Sequence, residues 1–333
     1  MSRSGEGAPG RVAVVVVNYG TADLAAEAVS SVLARFHGGR PVEVHLVDNA
    51  SPGDDAARLA ARAAGPDWRD AVAFRAEPVN HGFGRGNNLV LRALAARADP
   101  PEMVFLLNPD ARLENEAIDL LAARLEREPS LGFAGAAISK PGEGPVTAAF
   151  RFPGLVSEVS QALAFGPVHR ATARWHVPLP PDHPDGPVDW VAGAAVMIRM
   201  QALRDLHFFD PGFFLYYEEV DLMRRGRLRG WGTAYVPEAR VVHSEGAATG
   251  VRSGESGRPR RPAYWYESWS RYFRRSHGRA GALLIGAGVL AAAGLHVPLA
   301  RLRGRAPALP ARFLPDFWSA ALRPLLRGDG PAP

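Results

Sequence analysis

Between Val12 and Ser139, short uninterrupted apolar runs alternate with amphipathic helical stretches, and this alternation restricts the possible folds more than any other feature of the chain. The runs are "VAVVVV" (12–17), "VEVHLV" (42–47), "AVAF" (71–74), "MVFLL" (103–107) and "LGFAGAAI" (131–138). Segments such as "TADLAAEAVSSVLARF" and "ENEAIDLLAARLERE" lie between them, with Ala, Leu, Glu and Arg at helical spacing. A strand that is apolar at every position must be covered on both faces. The pattern therefore predicts an α/β fold with a Rossmann-like, mostly parallel sheet and helices on both sides.

Sheets of this kind bind ligands beyond the carboxyl ends of their strands. Those ends read "VVVVNYGTAD", "LVDNAS", "NHGFGRGNN" and "LLNPDARL". In the last, an unpaired carboxylate inside the core would be strongly disfavoured, so Asp110 is expected at the strand's mouth, facing solvent or a cation. Taken alone, Asn108-Pro109-Asp110 also reads as an ordinary turn. Asp48 is placed to accept a hydrogen bond from the imide of a uracil or thymine ring, or to close an Asx-turn. Gly82, Gly84 and Gly86 allow backbone to approach a ligand at a helix start. A dinucleotide fingerprint belongs after the first strand, where "NYGTAD" stands instead, which argues against a nicotinamide cofactor.

A second cluster, "YYEEVDLMRR", sets Glu218, Glu219 and Asp221 beside two tyrosines. Acids there complement a helix dipole, and an aromatic wall that excludes water would raise one of them toward the range of a general base. His243 ends the strand-like "ARVVH" and reads either as a structural residue or as a ligand.

The 333-residue chain has no cysteine, which excludes disulfides, Cys-ligated zinc and thiol nucleophiles, so a metal must bind through oxygen or imidazole. Its net charge of +5 is carried almost wholly by arginine, Lys140 being the only lysine, and no Walker-type phosphate loop is present. Zinc-finger spacing and RNP-like aromatic runs are also missing, so nucleic acid is not an expected partner.

The organisation expected is a disordered N-terminus (1–10), a catalytic domain (11–250) interrupted by a Pro/Gly-rich mobile insertion (141–187), and a basic, apolar helical extension (251–333). In that extension Arg252, Arg258, Arg260, Arg261, Arg271, Arg274, Arg275 and Arg279 precede an uncharged run, Ala280 to Ala300, closed by Arg301, Arg303 and Arg305. As a helix the run would be about 30 Å long, enough to cross hydrocarbon. It reads as a span, as a surface-lying or re-entrant helix pair on an anionic membrane, or as a helix packed on the soluble domain. The polar opening "MSRSGEGAPGR" has no apolar signal core, which leads to the expectation of a cytoplasmic catalytic part.

Taken in order, "VVVVNYGTADLAAEAVSSVLA", "VDNASPGD", "NHGFGRGNN", "LLNPDARL", "WVAGAAVMIR", "FFDPGFFLYYEEVDLMRRGRLRGW" and "VVH" resemble the blocks of the inverting family 2 glycosyltransferases, which have a GT-A fold. The resemblance covers about Val12 to Arg275 and is nearest to the bacterial rhamnosyltransferase-like branch. It implies that Asp110, held rigid by its proline, ligates Mg²⁺ or Mn²⁺ together with His243. It also implies nucleotide contacts by Asn18, Tyr19, Asp48, Asn80, Gly82, Asn88 and Asn108. Trp190, Gly193, Glu218 and Asp221 would line the sugar and acceptor region. Glu219 would be the catalytic base, at a position where the family more often has aspartate.

The donor implied is a nucleotide-diphosphate sugar, dTDP-L-rhamnose first, and the acceptor a cell-envelope or polyprenyl-linked glycan. The enzyme would sit peripherally, or anchored, at the inner face of the cell membrane. Three other readings stand beside it: a UDP-sugar transferase for galactofuranose or GlcNAc, a sugar-nucleotide pyrophosphorylase, and a non-catalytic membrane scaffold. The pyrophosphorylase would need a glycine-rich loop with Arg and Lys where "NYGTADLAAEAV" stands.

Overall fold

The computed structural model describes residues 10–244 and 259–328; the N-terminal tail through residue 9, and Arg252 and Arg258 of the arginine run, lie outside the described residues. The chain runs β1 (Val12–Asn18), α1 (Ala22–Leu33), β2 (Val42–Asp48), α2 (Asp55–Ala63), β3 (Val72–Ala76), α3 (Gly82–Ala95) and β4 (Met103–Leu107). Next come β5 (Ala111–Leu113), α4 (Ala117–Arg127), β6 (Leu131–Lys140), β7 (Gly144–Val146), β8 (Ala149–Phe150), α5 (Leu155–Leu163) and α6 (Gly166–Ala171). Segment 141–187, expected from sequence to be a mobile insertion, contains β7, β8, α5 and α6. The remainder is β9 (Gly186–Val188), β10 (Trp190–Val191), β11 (Ala195–Arg199), α7 (Met200–Asp205), α8 (Glu218–Leu228), β12 (Gly232–His243), α9 (Ala263–Leu302), α10 (Phe313–Phe317) and α11 (Arg323–Arg327).

These elements form two compact units. The first is built from the described residues of Met1–Phe150, Pro178–Asp210 and Leu222–Arg252. Its main sheet has the strand order β3-β2-β1-β4-β11-β6-β12-β5. The first four strands are parallel, β11 runs antiparallel to β4 and β6, and β12 is again parallel to β6.

Alternate residues of β1 enter different cores, which is why the run has no polar position to spare. Val12, Val14 and Val16 pack in one cluster with α1 and α4 residues such as Val29, Val32, Ile118 and Leu121. Ala13 and Val15 pack in the other with Val90, Leu91 and Leu94 of α3. A fully buried side chain of the Val class contributes about 1.5–3 kcal/mol, so both faces are paid for by the same six-residue run.

Register then positions the polar ends. Asn18 of β1 pairs with Asp48 of β2, and Asp48 with Ala76 of β3. On the other side of β1, Val16 pairs with Leu107, so the chain leaves β4 at Asn108 near the same sheet edge. Antiparallel pairing of β12 with β5 sets His243 opposite Ala111, the residue after Asp110.

The second unit is built from Arg151–Val177, Pro211–Asp221 and the described residues of Ser253–Pro333. Its spine is α9, which spans 40 residues and is broken at Gly278 (φ 70°, ψ 173°). Ahead of the break the helix buries Tyr266, Trp269, Tyr272 and Phe273. Trp269 lies 4.4 Å from the Phe273 ring and 4.7 Å from Phe317. After the break, α9 packs on α5 and on a π-helical turn, Trp318–Leu322. Gly286 permits that approach, since a Cβ there would stand 2.2 Å from a Leu322 methyl. Among the described residues, α9 is the one helix long and apolar enough to cross a bilayer.

Candidate active site

In the first unit, the ends of β1 and β2 are knitted by a buried polar network. The Asn18 amide donates to Asp48 Oδ1 (2.9 Å), Ser51 Oγ (3.0 Å) and Asp55 Oδ2 (3.3 Å). Its carbonyl oxygen accepts from the backbone and hydroxyl of Thr21. Asp48 is almost fully buried and also accepts from Ser51 Oγ (2.6 Å) and Ser51 N (3.1 Å), so its carboxylate closes an Asx-type turn. Asp55 Oδ2 takes the Ala22 N–H, one of the orphan donors at the start of α1. Asn18 and Asp48 therefore hold the loop together, while the neighbouring Tyr19 is exposed at the strand's mouth.

The loop before α3 is organised by Asn49. Its amide donates to Asn80 Oδ1 (3.0 Å) and the Gly82 carbonyl (3.1 Å), and its own carbonyl oxygen accepts the His81 N–H (3.0 Å). Asn80 Oδ1 also accepts the Gly82 N–H at 2.8 Å. Gly82 adopts φ 74°, a left-handed conformation that glycine reaches without steric penalty. Asn88, further along α3, exchanges two hydrogen bonds with the Phe209 backbone (2.9 and 3.1 Å).

Asp110 and His243 meet at the end of β4. Asp110 Oδ1 lies 2.9 Å from His243 Nε2, and both side chains are largely buried. The Asn108 amide is 3.3 Å from the same ring nitrogen. Asn108 N–H donates to the Ala194 carbonyl, which brings the buried Gly193–Ala194 turn to the Asn-Pro-Asp segment. Trp190 is stacked on Phe150 with ring centroids 4.0 Å apart.

No group of three or more potential ligand side chains occurs among the described residues. A hard divalent ion takes carboxylate oxygen readily and Mn²⁺ also tolerates imidazole, so the Asp110–His243 pair fits such an ion. The remaining positions would fall to diphosphate oxygens and water.

The acidic cluster belongs to the second unit up to Asp221. Tyr216 and Tyr217 precede it with φ of 71° and 68°, a left-handed pair that bulky residues adopt at a cost of about 1–3 kcal/mol each. Strain of this kind persists only where surrounding packing enforces it. Here Tyr217 sits against Tyr272, with ring centroids 5.2 Å apart. The Asp221 N–H donates to the Tyr217 carbonyl (2.8 Å), closing the first turn of α8.

The three acids then part ways. Asp221 is paired with Arg275 Nε at 3.1 Å. Among the described residues, Glu218 and Glu219 each keep one buried carboxylate oxygen without a hydrogen-bond partner. Burial raises the pKa of both, and the charge of Glu219 raises Glu218 further. Backbone N–H groups of Glu219 and Val220 favour ionised Glu219, whereas Glu218 is favoured only by its own. Two close carboxyls of this kind hold one negative charge more readily than two.

Asn49, Ser51, Asp55 and Glu158 join the residues expected from the sequence. The first two stand inside "VDNAS", whose turn character was a usable signal. Glu158 on α5 was not findable in this way. Its partner Trp269, which donates Nε1–H to Oε2 at 2.7 Å, is 111 positions away. Burial raises Glu158 to about 7 against the opposing effect of that hydrogen bond, and its charge in turn helps burial to raise Tyr217.

The family model described as Glycosyltransferase like family 2 matches residues 9–275. The N-acetylglucosaminyl-diphospho-decaprenol L-rhamnosyltransferase of Mycobacterium tuberculosis is 31% identical over 220 residues, which cover 63% of this chain and 69% of that protein. Rhamnosyltransferase WbbL of Escherichia coli is 24% identical over 168 residues, covering 49% and 61%. Among solved structures, GalNAc-T7 with UDP, GalNAc and Mn²⁺ is similar at TM-score 0.58 and 15% identity, over 83% of this chain and 52% of that one. The mannosyltransferase PcManGT of Pyrobaculum calidifontis with GDP-Man and Mn²⁺ gives TM-score 0.51 and 16% identity, over 96% and 83%. The chain thus spans about half the length of GalNAc-T7, and these two likenesses concern the fold.

Proposed function

The chain belongs to Glycosyltransferase like family 2, and from that premise we propose an inverting, metal-dependent transferase that moves L-rhamnose from dTDP-L-rhamnose to a polyprenyl-linked cell-envelope glycan. The observation that carries the chemistry is the division of labour among three neighbouring acids. Asp221 is paired with Arg275, while half-buried Glu219 keeps one buried carboxylate oxygen without a partner among the described residues. A base needs that free lone pair and a raised affinity for protons. In the reaction, the acceptor hydroxyl oxygen forms a bond to the anomeric carbon as the bond to the diphosphate oxygen breaks, and the hydroxyl proton passes to Glu219. A single displacement inverts the centre.

Asp110 and His243 would hold Mg²⁺ or Mn²⁺, which supplies charge neutralisation for the departing diphosphate. Exposed Tyr19 is the residue we assign to the nucleotide at the mouth of β1, with Asn80, Gly82 and Asn108 around it. Asn18, Asp48 and Asn88, whose polar atoms are engaged by the protein, act by fixing the loops that carry those contacts. Trp190 and Gly193 remain our candidates for the sugar and acceptor side. The L-rhamnose assignment is supported by similarity to the mycobacterial enzyme and by the ordered motifs, and membrane attachment by the apolar α9.

Thermal-shift titration with dTDP-L-rhamnose, UDP-GlcNAc and UDP-galactofuranose, each with and without Mn²⁺, tests the reading. At a hundredfold excess over Kd, a bound donor adds about 2.7 kcal/mol of stability. The expected result is a Mn²⁺-dependent rise with dTDP-L-rhamnose that Asp110→Asn abolishes. A rise only with a UDP sugar would replace the donor assignment, and an undiminished Mn²⁺-dependent rise in Asp110→Asn would refute the metal site.

A further inference from the structure

The second half of α9 is apolar on two opposite faces, and among the described residues only one of them is covered. Ala282, Ile285, Val289, Ala293, His296 and Ala300 are buried. On the other side Leu284, Ala287, Ala291, Leu295, Pro298 and Leu302 are exposed, with Leu284 65%, Leu295 59% and Leu302 85% accessible. At 3.6 residues per turn the exposed six fall within about 80° of arc, roughly opposite the buried set. Leu155 of α5, itself exposed, extends this surface beside Gly288. A continuous exposed apolar stripe marks an interaction face.

We propose that this stripe lies in the plane of an anionic membrane interface, with its leucines inserted among the lipid chains, and that α9 does not cross the bilayer. Charge selects the occupant. The run Ala280–Ala300 has no ionisable group except buried His296, and exposed Arg279, Arg301, Arg303 and Arg305 bracket it. That arrangement complements anionic headgroups. An antiparallel second copy would instead set the arginines of one end against those of the other.

The covered face excludes a span. His296 Nδ1–H donates to the Leu163 carbonyl (2.9 Å), and its Nε2 accepts the Ala308 N–H (2.8 Å). The end of α5 and an irregular segment beyond α9 are thus fastened to a point about 9 Å before the helix ends. If α9 spanned, that irregular backbone, and α5 with its Glu158 carboxyl, would have to enter hydrocarbon. Lying flat, the same elements stay on the protein side. The proposal deepens the membrane attachment in the reading above but does not depend on the transfer chemistry, because its test uses no nucleotide sugar.

The chain has no cysteine, so single-cysteine variants of the full-length protein can each carry one environment-sensitive fluorophore. Leu284→Cys, Ala291→Cys, Leu295→Cys and Leu302→Cys would be labelled and mixed with vesicles of phosphatidylcholine alone or with one-third phosphatidylglycerol. The expected result is binding at least about tenfold stronger to the anionic vesicles, with all four labels at one shallow depth by lipid-attached quenchers. Leu284→Asp combined with Leu295→Asp should lower that binding about tenfold or more while leaving the far-ultraviolet circular dichroism unchanged. Labels deepest at Ala291 and shallow at Leu284 and Leu302 would show a span and overturn the proposal. Equal binding to both vesicle types, or no binding together with a concentration-dependent dimer, would overturn it as well.

Discussion

Replacing Glu158 by Gln should remove a pH dependence of stability that the fold itself creates. The carboxyl is buried on α5 and receives the Trp269 indole N–H at 2.7 Å. Burial, opposed by that hydrogen bond and by the charge of Arg261, lifts it from the ordinary 4.5 to about 7. Between those two values the folded protein holds the proton and the unfolded chain has released it. Stability contributed by this group is therefore fully present below pH 4.5 and is lost as pH rises through about 7. A rise from 4.5 to about 7 amounts to ~3 kcal/mol.

Gln keeps the shape and a carbonyl oxygen for Trp269 but cannot ionise. Urea denaturation of the two proteins should then give similar stability near pH 4.5, and by pH 8 an advantage of ~3 kcal/mol for Glu158→Gln, worth roughly 4 °C in Tm for a chain of this length. Glu218 and Glu219 are raised in the same direction by burial, but they are present in both proteins and drop out of the difference. A stability difference that stays flat from pH 4.5 to pH 8 would show that Glu158 is not buried as a titrating carboxyl, and the reasoning would fail.

Glu219→Gln should lower single-turnover transfer by about 10²–10⁴-fold without weakening donor binding, and Glu219→Asp should retain more activity than Gln. Asp221→Asn, which loosens the Arg275 pair, should act on stability more than on the chemical step; a dead Asp221→Asn beside an active Glu219→Gln would move the base to Asp221. His296→Ala removes its hydrogen bonds with the Leu163 carbonyl and the Ala308 N–H, and should cost about 1–3 kcal/mol in all in chemical denaturation. Asn49→Ala releases Asn80, His81 and Gly82 together, so calorimetry should show weaker nucleotide binding with a smaller change in Tm than His296→Ala produces.

The alternation from β1 to β4 was readable because it is local. Each run needs only its own composition to declare two buried faces, and each helix only its own spacing. The polar strand ends were readable for a similar reason, since turn residues such as Asn18, Asp48 and Asp110 interrupt apolar runs in the sequence itself. Their use was not. Whether Asp48 faces a ligand or closes a turn depends on Asn18 arriving opposite it, a matter of register between β1 and β2.

Longer-range relations belong to the tertiary structure. The meeting of His243 with Asp110 follows from antiparallel pairing of β12 with β5, and no local pattern announces that partner. Likewise "EEVD" shows three acids of similar intrinsic acidity, and only the approach of Arg275 separates Asp221 from the two glutamates. Along the sequence His296 is a single polar residue within an apolar run, yet it fastens α9 to the end of α5 and to the segment after α9. In each case the chemistry of a side chain is set by which distant group desolvates it or pairs with it. That choice is made when the whole chain packs, because burial and pairing are properties of neighbours in space, whereas periodicity is a property of neighbours in sequence.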